Sequence, residues 1–402
     1  MRISSGASGI LVGLYLASLA SRGAHVNAAL VGSLGAMSFG AEMLGALPMG
    51  ILSDAVAPRS LMSGGALLSG VATQLFGLTA RSGVFFLSRI LEGVGASATT
   101  PSLLAHLTDM TDRNRVLRAR VMSYFELSLL AGLGLGGVTG AQFWRLFAAR
   151  GFTAVAALYG FSAVLLFFGT VGIQKHESKQ VMTGFLRAIR EPSLQRLAPV
   201  WLCVNTIVGL WLGPTFIFLL THRRQTHQFL DGVLADHPDR VGWILLGYVI
   251  VFGTGVSGWS IVLPRIGEQR ALRVALLAML MVCLCLLVLN HSGEETRLVR
   301  WILVGFSVLC IMVESGFTPA ALSLLAGAIG AQTGRGAAMG IYSLLLSIGA
   351  IAGSFLAALS GQVFAVDGLI YSTLAMAVVA LFFVRWIEVG PFEGRTNVIG
   401  TV

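Results

Sequence analysis

Gly50-Ile51-Leu52-Ser53-Asp54-Ala55-Val56-Ala57-Pro58-Arg59-Ser60-Leu61 is a short charged turn between two long apolar runs. An acid, Asp54, and a base, Arg59, stand close together where one greasy helix ends and the next begins. A turn of this kind belongs at the edge of a membrane, and the composition agrees. The chain has 402 residues, 55% hydrophobic and 11% charged, with a mean hydropathy of +0.83. Soluble domains carry about 25% charged residues. The sequence is that of a polytopic membrane protein. A spanning helix takes about 20 apolar residues, so the length accommodates twelve with short loops. The 50 glycines fit too, because small residues let membrane helices approach where no hydrophobic force drives them together.

The apolar runs lie at 5–21, 27–52, 60–80, 84–107, 120–143, 152–173, 196–221, 241–262, 271–290, 299–328, 337–359 and 366–388. Those at 27–52 and 299–328 exceed the bilayer thickness and are expected to tilt, kink or project. The first run follows Arg2 and ends in small residues, as a secretory leader does. It is read as an uncleaved span, since eleven helices would break the internal repeat. With the N-terminus inside, seventeen bases fall on inner loops and nine on outer ones, which places both termini in the cytoplasm of a multi-pass cell (inner) membrane protein. The net charge of +9 serves this topology and not nucleic acid, because the bases are scattered over short loops. Cys203, Cys283, Cys285 and Cys310 all fall in apolar runs and are read as small buried hydrophobes.

The polar stretch 174–195 divides the chain into 1–173 and 196–402, six spans each. Within it Val181, Met182, Phe185 and Ile189 recur at helical spacing, which predicts an amphipathic helix on the inner membrane surface. The two halves echo each other. A shift of 217 positions lays Arg118, Met122, Leu127, Gly132 and Gly136 over Arg335, Met339, Leu344, Gly349 and Gly353. A shift of 211 pairs Leu52, Arg59 and Leu61 with Leu263, Arg270 and Leu272.

The turn at 50–61 resembles the signature loop between the second and third helices of the major facilitator superfamily, G-x-L-x-D-R-x-G-R-[RK]. Gly50, Leu52, Asp54 and Arg59 match, while Ala55, Ala57 and Pro58 stand in place of Arg, Gly and Arg. The stretch Arg89-Ile90-Leu91-Glu92-Gly93-Val94-Gly95-Ala96 is similar to the family's R-x-x-x-G-x-G/A element. Gly132–Gly140 resembles the glycine-rich fifth-helix motif of drug/proton antiporters, with glycine where that motif has proline. The resemblance implies an all-α membrane protein with twelve transmembrane helices, arranged as two pseudo-symmetric six-helix bundles about a central site. It also implies that Gly50, Asp54 and Arg59 form a cytoplasmic clamp. Asp54 would meet the start of span eleven near Gly336, and Arg59 would pair with Asp109 or Asp112 beyond span four. The plain alternative is a solvated turn whose ion pairs contribute about 0–1 kcal/mol.

Glu42, Glu92, Glu126 and Glu314 lie well inside apolar runs. A charge at mid-bilayer costs about 2.5–3.5 kcal/mol on insertion scales, so such residues face cavities and mark function. A carboxyl that takes up and releases a proton is also what a proton carrier needs. Arg89 and Glu92, three apart, share a helical face and can pair. The alternatives are that Glu92 only neutralises Arg89, and that a glutamate is packed between helices in its protonated form. Asn205 of span seven is either a substrate partner or a hydrogen bond between helices. The outer loop 222–240 carries His222, His227, His237, Asp231, Asp236 and Asp239, but without tight ligand spacing, so no metal site is expected. Trp144, Trp201, Trp243, Trp301 and Trp386 lie near predicted helix ends, as interface anchors do.

There is no P-loop, nucleotide fingerprint or nucleophile elbow, so neither an enzyme nor a cofactor is expected. The expected function is secondary export of a small organic molecule in exchange for protons, by a monomer among membrane lipids. Two alternatives remain: uptake or facilitated diffusion of a sugar, organic acid or metabolite, and a non-transporting assembly factor of the pigment-delivery kind.

Overall fold

The computed structural model describes residues 1–110, 115–170, 192–222, 227–292, 297–328 and 335–388, and among these every regular element is helical. The first set of helices is α1 (Arg2–Ser21), α2 (Ala28–Ala55), α3 (Pro58–Gly77), α4 (Ser82–Met110), α5 (Arg115–Phe147) and α6 (Gly151–Gly169). The second is α7 (Pro192–Leu212), α8 (Pro214–Thr221), α9 (Val241–Ile266), α10 (Glu268–Asn290), α11 (Arg297–Glu314), α12 (Phe317–Ala328), α13 (Arg335–Phe364) and α14 (Val366–Glu388). Most of the expected amphipathic segment 174–195 lies outside the described residues; the described chain resumes as helix at Pro192.

Each apolar run of the sequence is occupied by helix, and two runs are occupied by a broken pair. Span seven divides at Gly213, where Pro214 opens α8 as its first residue, a place where its missing N–H leaves nothing unpaired. Span ten divides at Ser315 and Gly316, between α11 and α12. The turn at 50–61 follows the same chemistry: α2 ends at Ala55, Val56 is extended, and Pro58 opens α3. Among the described residues nine stretches are long and apolar enough to cross a membrane. Neither α3 nor α4 is among them, because Arg59, Gln74, Arg89, Glu92 and a series of serines and threonines dilute their apolar residues.

Packing repeats between the sets. In the first, α1 packs on α5, α2 on α4, and α3 on both α4 and α6. In the second, α7 packs on α13, α9 on α11, and α10 on both α11 and α14. The sets meet through α2 on α13 and through α5 on α9, the two crossings that a two-fold relation exchanges. Glycines create the closest approaches. A Cβ on Gly136 would lie 2.6 Å from the Ile3 carbonyl of α1, and one on Gly140 would lie 2.6 Å from that of Ala7. In the second set Gly349 and Gly353 of α13 lie against Asn205 and Thr206 of α7. The glycines 217 positions apart thus perform the same task. Gly137 faces the other way, where a Cβ would lie 3.5 Å from Leu245 Cβ of α9. Both faces of the fifth-span glycine run are used for packing.

α1 is enclosed, with Ala7, Leu11 and Leu16 fully buried. Tyr15 packs edge-on to Phe152 at 5.5 Å and donates to the Thr79 carbonyl at 2.9 Å. The four cysteines are buried and free, as their setting predicts. Trp201 corrects one expectation: α7 starts four residues earlier than the apolar run, so Trp201 is buried against Phe317 and is not an interface anchor. The described contacts across the two sets lie towards the end of the bundle that holds the turn 22–27, here called the first-turn end. A Cβ on Gly32 would lie 2.6 Å from the Ser354 carbonyl, and one on Gly13 would lie 3.2 Å from that of Pro214.

Candidate functional site

Charged side chains collect inside the first set. Arg89 and Glu92 of α4 are both buried and form an ion pair across one helical turn, as their spacing predicts. The Arg89 Nε is buried with no hydrogen-bond partner among the described residues. Glu42 of α2 stands beside Gly93, whose absent side chain lets the α2 backbone close on α4: a Cβ there would lie 3.0 Å from the Glu42 nitrogen. Glu42 experiences the charges of both Arg2 and Glu92. Tyr159 of α6, almost fully buried, lies within electrostatic range of Glu92, Arg89 and Arg2. Four helices therefore bring two bases, two acids and a phenol to one place.

Arg2 was counted above with the inner-loop bases, and the structure moves it inward. Gly132 faces Arg2 just as Gly349 faces Asn205, which sets Arg2 level with a residue deep in α7. Its guanidinium lies 5.3 Å from the centre of the Phe125 ring. A loop base would be hydrated; one held here needs the carboxylates of α2 and α4 nearby. Sequence reasoning missed Arg2 and Tyr159 as members of this cluster. Matching Gly6 of α1 with Gly209 of α7, each opposite a glycine of its partner helix, is the signal that places Arg2.

In the second set a half-buried acid stands at a helix break. Glu314 is the last residue of α11 and sits near Tyr248, Cys283 and Cys310, on three helices. The break is filled by Trp259 of α9. Its indole N–H donates to the carbonyls of Met312 at 3.3 Å and Val313 at 3.0 Å, which also accept from the Ser315 hydroxyl and the Gly316 N–H where α11 ends. Gly316 has no side chain where the indole ring lies, and Gly255 none where Ser315 and the Met312 carbonyl approach. Asn205 is buried, donates to the Trp201 carbonyl of its own helix at 2.9 Å, and lies against Gly349 of α13.

The clamp residues are only partly described. Arg59 is exposed, with its guanidinium 5.5 Å from the centre of the Phe167 ring. Gly50 and Asp54 close α2 and Asp109 closes α4, but the side chains of Asp54, Asp109 and Glu126 lie outside the described residues, as does Asp112 altogether. Small cavities occur among the described residues. One, of about 190 Å³, lies between α3 and α6 beside Gln74; another, of about 210 Å³, lies at the first-turn end beside Leu14 and Trp144. No carboxylate of the buried clusters lines either.

A sequence model described as Major Facilitator Superfamily matches residues 2–296. The Gentisate transporter of Corynebacterium glutamicum is 27% identical over 113 residues, 28% of this chain and 24% of that protein, so this match covers about a quarter of the relative's length. Multidrug resistance protein 2 of Bacillus subtilis is 22% identical over 349 residues, 82% of this chain and 79% of that one. Among solved structures, a bacterial homolog of the human lysosomal transporter Spinster, in an inward-facing and occupied conformation, has a TM-score of 0.71 at 13% identity and covers 96% of this chain and 95% of its own. The nucleoside transporter NupG has a TM-score of 0.67 at 12% identity, covering 96% and 98%. These likenesses at low identity show the fold.

Proposed function

Because the chain belongs to the Major Facilitator Superfamily, a family of membrane transporters, we propose that it is a secondary active exporter of a small organic molecule, driven by protons. Twelve spans in two halves, 1–173 and 196–402, rock about the interior while 174–195 connects them. The first-turn end faces outward and the end of α14 lies at the cytoplasmic face of the inner membrane, following the distribution of bases. The observation that carries the reading is the repeated packing: α2 on α13 and α5 on α9 join two equivalent sets, the first enclosing the Arg89–Glu92 ion pair and the second holding Glu314 at a helix break. The described contacts between halves lie towards the outward end.

Arg89, Glu92 and Glu42 form the coupling group of the first half, with Arg2 and Tyr159 as its surroundings. Arriving protons neutralise a carboxylate, release the arginine from its partner, and so change which contacts favour each state. Glu314 does the corresponding work at the break in span ten, and Glu126 is assigned with it to the central cavity. Gly50, Asp54, Arg59, Asp109 and Asp112 form the inner clamp. The similarity to a multidrug resistance protein over four fifths of the chain favours drug-like cargo. A second reading, carriage of an organic anion, is favoured by the match to the Gentisate transporter and by the two interior arginines.

The experiment is reconstitution into vesicles with a pH-sensitive dye inside and an imposed pH gradient, challenged with lipophilic cations and aromatic acids. Cargo should move protons, and Glu92→Gln should abolish the movement. Cargo movement at a rate indifferent to the gradient refutes coupling.

A further inference from the structure

Residues 227–240, ahead of α9, form a folded element, although their polar sequence suggests an ordinary loop. Its backbone caps α8: the N–H groups of Gly232 and Leu234 donate to the carbonyls of Leu219 and Leu220 at 2.8 and 2.9 Å. Asn290, fully buried at the end of α10, accepts from the Phe229 N–H on its carbonyl at 2.8 Å and from the Leu230 N–H on its side chain at 2.7 Å. The same Asn290 donates to Asp367 of α14 at 2.7 Å, and Asp367 also holds the His291 ring at 2.8 Å. Gln228 spans the α13–α14 corner, accepting from the N–H groups of Val366 and Asp367 at 3.0 and 3.2 Å and donating to the Phe364 carbonyl at 2.7 Å. The Arg300 guanidinium lies 4.1 Å from the centre of the Phe229 ring. These ties bind the segment to the second set of helices.

Towards the first set the segment presents a leucine. Leu234 is buried in an apolar cluster with Ile10 and Leu14 of α1, Ala141 of α5, and Ile217, Leu220, Val241 and Leu245 of the second set. This cluster bridges the two halves at the first-turn end. Its partners on α1 and α5, Ile10, Leu14 and Ala141, are apolar side chains, so their parting from Leu234 leaves no buried polar group unpaired.

We propose that Leu234 is an outer plug, carried by the second half through Gln228 and Asn290, and that it seals the seam where α1 and α5 face α8 and α9 until the halves part. The proposal rests on the rocking of two halves and adds the residue that closes them. When the outer end opens, the segment travels with α8, α10 and α14, and Leu234 is drawn from its seat.

The test uses the full chain in right-side-out membranes, with Ile10→Cys as reporter and Cys203, Cys285 and Cys310 replaced by serine. Cys283 is retained as a buried monitor of folding. A membrane-impermeant maleimide is applied from outside. Leu234→Ala should raise the labelling rate of the reporter at least about tenfold, since the packing of a buried leucine is lost. Leu234→Met, which conserves volume, should leave it within about twofold. Should Leu234→Ala also expose Cys283, the decision passes to Gln228→Ala, which leaves Leu234 in place and cuts its tether; the same acceleration is expected. Equal, measurable labelling with and without the leucine overturns the plug and leaves the rocking intact. No labelling in any variant overturns the rocking as well.

Discussion

Replacing Gly136 by alanine should destabilise the protein, whereas the same change at Gly160 should not. A methyl group on Gly136 would lie 2.6 Å from the Ile3 carbonyl oxygen, 2.9 Å from Gly6 Cα and 3.0 Å from the Ala7 nitrogen. All three are backbone atoms of α1, so no side-chain rotation makes room. Restoring ordinary contact means parting α1 and α5 by about 0.8 Å along their whole seam. Overpacking of this kind costs about 1–3 kcal/mol, and the better helix propensity of alanine offsets about 1 kcal/mol of it. The net loss expected is up to about 2 kcal/mol. Gly160 of α6 has nothing within 4 Å of the same position, so only the propensity remains and stability should rise by up to about 1 kcal/mol. The assay is reversible unfolding in mixed detergent micelles as the denaturing detergent fraction increases, followed by circular dichroism. Gly353→Ala, at the equivalent seam of α13 on α7, should behave as Gly136→Ala does. Shifts of the same sign at Gly136 and Gly160 would refute the close approach of α1 to α5.

Three further outcomes follow from the buried charges and the turn. Arg89→Ala leaves Glu92 buried without its partner and should cost about 3–5 kcal/mol in the same unfolding assay, while Arg89→Leu combined with Glu92→Leu should recover most of it. Glu314→Gln should leave exchange of labelled cargo across vesicles intact and remove its dependence on the pH gradient; an unchanged dependence excludes Glu314 from coupling. Asp54→Asn should slow transport several-fold at normal expression if the clamp works as proposed, and an unaltered rate means the turn is only a turn.

The helices were legible because membrane spans announce themselves by length and apolarity, and the repeat because Gly132, Gly136, Gly349 and Gly353 keep their spacing where close backbones demand it. The pairing of Arg89 with Glu92 was legible for the same reason: three residues on a helix is a geometric statement. Arg2 was not, because a base beside a chain terminus looks like any base in a loop, and its depth is set by how α1 seats on α5. Trp259 was hidden differently. Nothing in its neighbourhood on α9 signals that its partner is a carbonyl pair 53 and 54 residues further on. The break at Gly213 carried a local signal in Gly-Pro, but both α7 and α8 are apolar enough to run on as one span.

The indole lodged between α11 and α12 also makes the protein its own optical probe. Trp259 sits where the tenth span bends, its ring against Gly316 and its N–H engaged. Any swing of α12 alters the polarity around that ring. With the other six tryptophans changed to phenylalanine, emission from this one residue would follow the working cycle in real time, with no dye attached and no cargo yet identified.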